Sequence, residues 1–200
     1  MRSFFIIFLA VLSVCGCESD APKPAPLQPL LFESKNAPYQ LELAEPWAIT
    51  DPKNLNSHAD LAATYNSSLY LIVIPQKLPS IPGVESPDAL ALKRASLAVL
   101  EERLKGFTIE RQGPIKLDNT IGQSVFANGQ TEGQSIQYVA TYMTRADWGF
   151  QVVGWGPVEK GPLLTAEMDR ILTTWKFTGA TPEVSPSLPE SEEDIDASSD

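Results

Sequence analysis

The sequence predicts an α/β (α+β) domain: a mostly antiparallel sheet carrying two main helices. Three observations predict it. Tyr39, Leu41 and Leu43 alternate with Gln40, Glu42 and Ala44, the period-two pattern of a half-buried strand. Two stretches, Pro87 to Lys105 and Pro162 to Trp175, instead repeat their apolar residues at helical spacing. Between them, three long apolar-rich runs are separated by short turn sequences, which reads as a meander.

In chain order, Pro46 ends the first strand and Trp47 follows it, where it plugs one end of the sheet. A loop from Asp51 to His58 leads into Ala59 to Tyr65, which fits either a strand or a short helix. Asn66-Ser67-Ser68 is a turn before Leu69 to Ile74, a run apolar on both faces and therefore an interior strand covered twice. After a proline-rich loop, Ser86 is placed as the N-cap of the first helix, Pro87 at its first position and Gly106 just past its end. Leu90, Leu92, Leu97, Val99, Leu100 and Leu104 take about half of its circumference, a broad face to set on a sheet. Phe107 to Arg111 and Ile115 to Leu117 read as two short strands, turned at Asp118-Asn119. The meander then runs Ile121 to Gln130, Ser135 to Arg145 and Gly149 to Trp155, turning at Thr131-Glu132-Gly133-Gln134 and Ala146-Asp147-Trp148, with Asn128-Gly129 competing for the first turn. The last helix aligns Leu164, Met168, Ile171 and Trp175, and Phe177 closes the body.

Ahead of this body lies an apolar run, Phe4 to Val14, too short for the ~20 residues a membrane span needs. It fits the core of a signal peptide. Val14-Cys15-Gly16-Cys17 at its end resembles the bacterial lipobox. That resemblance implies lipidation of Cys17, cleavage before it, and a membrane anchor outside the cytoplasm. Glu18, in place of an aspartate after the cysteine, points to the outer membrane where there is one. Pro22, Pro24, Pro26 and Pro29 make the next stretch an extended stalk, from which Leu30, Leu31 and Phe32 could dock on the body. The expected organisation is a signal peptide over 1–16, a lipid-anchored linker over 17–38, the domain over 39–178 and a disordered tail over 179–200.

Charge narrows the class of partner. The chain carries 15 Lys and Arg against 25 Asp and Glu, a net charge of −10, and seven of the acids fall after Pro182 without a basic residue among them. A nucleic-acid binder needs a basic stripe, so no nucleic acid is expected. Both cysteines, Cys15 and Cys17, precede the body, which can form no internal disulfide.

The usual parts of covalent and metal chemistry are scarce. Gly122-Gln123-Ser124-Val125-Phe126 has only the first glycine of a nucleophile elbow. His58 is the one histidine, beside Ser57 and Asp60 in a loop, and reads as exposed. No ligand cluster has metal-binding spacing, and Gly154-Trp155-Gly156 opens no helix, so no metal or cofactor is expected. Trp155 and Trp175 read as core or core margin, whereas Trp148 falls in a hairpin turn.

With these elements in order, the body from Tyr39 to Phe177 resembles the PsbP-like and DcrB-like proteins. Tyr39-Gln40-Leu41-Glu42-Leu43 leading to Pro46-Trp47, Ala59-Asp60-Leu61 before the apolar strand, Tyr138 to Tyr142 in the long hairpin, and Thr174-Trp175-Lys176-Phe177 carry the likeness. It implies an α/β/α sandwich, and accessory or adaptor roles more than catalysis. The expectation is therefore a non-enzymatic interaction module of the cell envelope, with an envelope protein as its partner and Trp47 and Trp148 as its contact residues. The alternative is a small-ligand carrier or weak hydrolase using a pocket near His58.

Overall fold

The computed structural model describes residues 28–79 and 87–179. The lipobox with Cys17, most of the proline-rich stalk, Ser86 and the acidic tail lie outside them.

The chain opens with β1 (Leu30–Glu33), β2 (Tyr39–Leu43) and β3 (Trp47–Thr50). A short 3-10 turn, Pro52–Asn54, precedes β4 (Leu61–Tyr65) and β5 (Leu69–Lys77). The helix α1 (Ala89–Arg103) leads to β6 (Lys105–Leu117), β7 (Thr120–Thr131), β8 (Gln134–Arg145) and β9 (Trp148–Pro157). A second helix, α2 (Gly161–Thr174), and the short β10 (Lys176–Phe177) complete the fold. Seven strands form one antiparallel sheet in the order β3-β4-β5-β9-β8-β7-β6, and β1, β2 and β10 form a second. The mixed architecture expected from the two periodicities is present, and Ala59 to Tyr65 resolves to a strand.

Three local differences have physical reasons. The cap of α1 is Asp88, whose side chain accepts from the Ala91 N–H at 2.7 Å, two residues beyond the expected Ser86. The two short strands before Asp118 are one strand, β6, with register shifts between Lys105 and Thr108 and between Ile109 and Arg111. Gly106, at φ +64°, sits in the first of these and not in a helix cap. Asn128-Gly129 is not a turn. A Cβ on Gly129 would lie 2.9 Å from the Leu104 Cβ, so this glycine lets the end of α1 press on β7. The turn falls at Glu132-Gly133, within the expected Thr131 to Gln134, both at positive φ, as a two-residue hairpin prefers.

The large sheet separates two apolar layers. On one face α2 and the small sheet cover Leu61, Leu71, Val73, Val139, Phe150 and Val152, with Leu164, Met168, Ile171 and Trp175 facing them. Gly154 brings α2 close, since a Cβ there would meet the Met168 Sδ at 2.5 Å. On the other face lie Ala62, Ile72, Val125, Ala127, Ala140 and Tyr142, met by Leu92. Consecutive residues such as Leu71 and Ile72 thus serve opposite layers, the signature of a strand apolar on both faces. Leu30 to Phe32 do join the body, as an edge strand paired with β2, although Leu30 and Leu31 stay exposed.

Candidate functional site

A single helix cannot cover the outer face of this sheet. Seven strands at ~4.8 Å spacing make it ~29 Å wide, whereas a helix with its side chains is ~10 Å across. The chain crosses from β5, inside the sheet, to edge strand β6 through α1, which rests mainly over β6, β7 and β8. What remains between α1 and the loop after β3 is a cleft of about 420 Å³. Ile72 and Ile74 of β5 with Gln151, Val153 and Trp155 of β9 contribute to its floor. Ala95, Ser96, Val99, Leu100 and Arg103 form the α1 wall, and Leu55 and Asn56 the opposite one.

This cleft explains the breadth of the apolar face of α1. Leu92 and Leu104 are buried, but Val99 is 45% exposed and lines the cleft with Leu100. The sheet uses only part of the arc. The same holds for β5, where Tyr70 and Ile74 are half-buried and, among the described residues, α1 rests on neighbouring strands of the outer face. Along the Trp155 end of the floor, Tyr70, Trp155 and Tyr138 stack across three neighbouring strands, with centroids 5.4 and 6.4 Å apart. Burial pushes the Tyr138 phenol above the ordinary tyrosine range. Trp155 is therefore a cleft residue as well as a core margin. The sequence signal that could have found it was an apolar helical arc wider than one sheet contact requires.

The residues singled out in the sequence do not converge. Trp47 and Trp148 lie at opposite ends of the large sheet. Trp47 pairs with Tyr65, which pairs with Leu69 at the start of β5, whereas Trp148 pairs with Lys77 at its end. Eight residues of strand, ~26 Å, separate those two ends. Trp47 is 4% exposed, donates its indole N–H to the Glu167 Oε2 at 2.8 Å and meets Tyr65 edge to face. Its ring locks β3 to α2 and leaves little of itself open to a partner. Trp148 is half-buried at the hairpin tip, stacked on Phe150 at 6.2 Å, with the Lys77 ammonium 4.4 Å above its ring. Lys77 also pairs with Asp147, and that hydrogen bond holds the Asp147 carboxyl below its usual range.

His58 is exposed, its backbone N–H bound to the Asn56 Oδ1 at 2.8 Å. Asp60 faces elsewhere: its oxygens accept from the Tyr39 hydroxyl at 2.8 Å and the Asn36 amide at 2.6 Å. Ser57, His58 and Asp60 thus form no triad. The cleft lies beside this loop through Leu55 and Asn56, but His58 does not line it. Among the described residues, no three His, Cys, Asp or Glu side chains group closely enough to hold a metal ion. Among them too, no helix is long and apolar enough to cross a membrane.

No protein-family model and no curated protein sequence matches the chain. Solved structures do. Cyanobacterial PsbP (CyanoP) from Synechocystis sp. PCC 6803 superposes with a TM-score of 0.58 at 12% identity, covering 83% of this chain and 98% of that one. The chain has a PsbP-like fold. LpqN of Mycobacterium tuberculosis, described as involved in cell envelope biogenesis, superposes at 0.57 and 12% identity over 76% of this chain and 92% of its own. The Ran-binding protein Mog1p of Saccharomyces cerevisiae superposes at 0.51 and 7% identity over 76% and 96%. At these identities the likeness speaks for the PsbP-like fold, and function rests on this chain's own residues.

Proposed function

We propose that this chain is an extracytoplasmic lipoprotein, anchored through Cys17, whose PsbP-like body is a non-enzymatic interaction module of the cell envelope. The observation that carries it is Trp148: an aromatic at a hairpin tip, half-buried, with part of its ring open to solvent, and held in place by Phe150 and Lys77. Pre-ordered aromatics of this kind anchor protein interfaces at low entropic cost. The envelope role stated for LpqN and the protein-binding role stated for Mog1p agree with this reading. An anchor also raises the local concentration of the module against membrane partners. A photo-crosslinking residue at position 148 in intact cells tests it: one discrete protein adduct is expected. Adduct-free protein, in cells where surface control positions do crosslink, removes the support for this surface.

The cleft favours a second reading, a small-ligand carrier. It is concave, mostly apolar and edged by a few polar groups, the usual composition of a ligand site. His58 stands outside it, so the hydrolase variant of that reading gains nothing from the geometry.

A further inference from the structure

The geometry points to a ligand class for the cleft: an amphiphile with an alkyl body and an anionic head, a long-chain carboxylate, its head set at Arg103. This inference rests on the carrier reading. The body of the site is aliphatic and aromatic, with Ile72, Ile74, Val99 and Trp155 among its lining. Its floor runs along β9 from Gln151 to Trp155, ~13 Å of strand, which suits an extended chain better than a compact ring. Among the residues lining it, Arg103 alone is charged. Arg103 ends α1, is exposed, and makes no hydrogen bond or ion pair among the described residues. A guanidinium keeps its charge at any physiological pH and presents a fork of donors matched to a carboxylate. In a chain with a net charge of −10, that lone cation beside an apolar slot selects a single anionic head attached to an apolar tail.

The experiment uses the full chain in its own membranes. A diazirine-bearing dodecanoate and the matching diazirine alcohol are photolysed in parallel, and labelled peptides are mapped by mass spectrometry. The carboxylate is expected to label peptides containing Val99 to Arg103 and Gln151 to Trp155, and unlabelled dodecanoate should compete. Arg103→Gln should lower carboxylate labelling about fivefold, the worth of one partly exposed ion pair, while leaving alcohol labelling unchanged. Val99→Trp, which fills the cleft, should abolish both. Ala95→Phe is the second filler should the first not fold, as judged by circular dichroism. Equal labelling by acid and alcohol, unmoved by Arg103→Gln, overturns the anionic head and leaves the carrier reading standing. Failure of both probes to label the cleft overturns both.

Discussion

Tyr39 lies flat on Trp175, their ring centroids 4.7 Å apart and their planes 7° from parallel. The pair joins the central strand of the small sheet to the end of α2, and Phe150 meets both rings edge to face. Three elements distant in sequence therefore share one aromatic cluster, with Tyr39 and Trp175 both essentially excluded from solvent. Trp175→Ala should cost about 3–5 kcal/mol, the range for removing a large buried aromatic. Urea denaturation measures it, and a loss under 1 kcal/mol would show that the cluster closes over the gap.

Tyr39 also gives a pH dependence. Burial, then the charge and hydrogen bond of Asp60, push its phenol well above the ordinary tyrosine value. A raised native value means the native state keeps its proton where the unfolded chain has lost it. The contribution is full below the unfolded value of ~10 and declines as pH rises beyond it. Tyr39→Phe should cost about 1–3 kcal/mol at neutral pH, because Asp60 loses a buried donor. It should also flatten the fall in stability above pH ~10, leaving the smaller slope due to Tyr138 and Tyr142, which burial raises too. Parallel melting curves at neutral and alkaline pH check both parts; equal slopes in the two proteins would remove Tyr39 from the account.

Trp148 separates packing from binding. Trp148→Ala should destabilise by about 1–2 kcal/mol, since only part of the ring is buried. Under the proposed role as an interaction module, capture of a protein partner should fall while the far-ultraviolet spectrum is retained. Capture that persists at wild-type level would reduce Trp148 to a packing residue. Trp47→Phe is the contrasting variant. It removes the indole donor to Glu167 and should lower stability without touching capture.

Anchoring is tested at one atom. Cys17→Ala should move the protein from the membrane to the soluble extracytoplasmic fraction, or leave the leader attached. Intact mass of the wild-type protein should show an acylated cysteine as the first residue. A wild-type N-terminus that starts elsewhere without lipid refutes the anchor.

The acidic tail is expected to be dispensable for the fold. Its composition of proline, serine and acid leaves too little apolar area to offset the entropy of ordering. Truncation after Gly179 should shift Tm by less than about 2 °C. A fall of many degrees would show that residues after 179 dock on the body.

Local chemistry was legible directly. Period-two alternation in β2, the doubly apolar β5, the turns at Asp118-Asn119 and Glu132-Gly133, and the spacing from Leu164 to Trp175 each depend on neighbours within a few residues. What the sequence alone determined was therefore the mixed α+β class and the order of its two helices and main strands; it assigned no strand at β3, left β4 open between strand and helix, and divided β6 in two. Tertiary structure decided what pairwise neighbourhood cannot. The six-residue arc on α1 could not say how much of itself the sheet would cover, since that depends on a seven-strand width set by β9 returning beside β5. Asn128-Gly129 had the residues of a hairpin turn, but the approach of Leu104 used the missing Cβ for packing instead. Trp47 and Trp148 looked alike as aromatics beside loops, and only strand register placed one under α2 and the other at an open tip. The cleft exists for the same reason: it is a mismatch between the breadth of a sheet and the width of one helix, a property of assembled layers that no single stretch of sequence encodes.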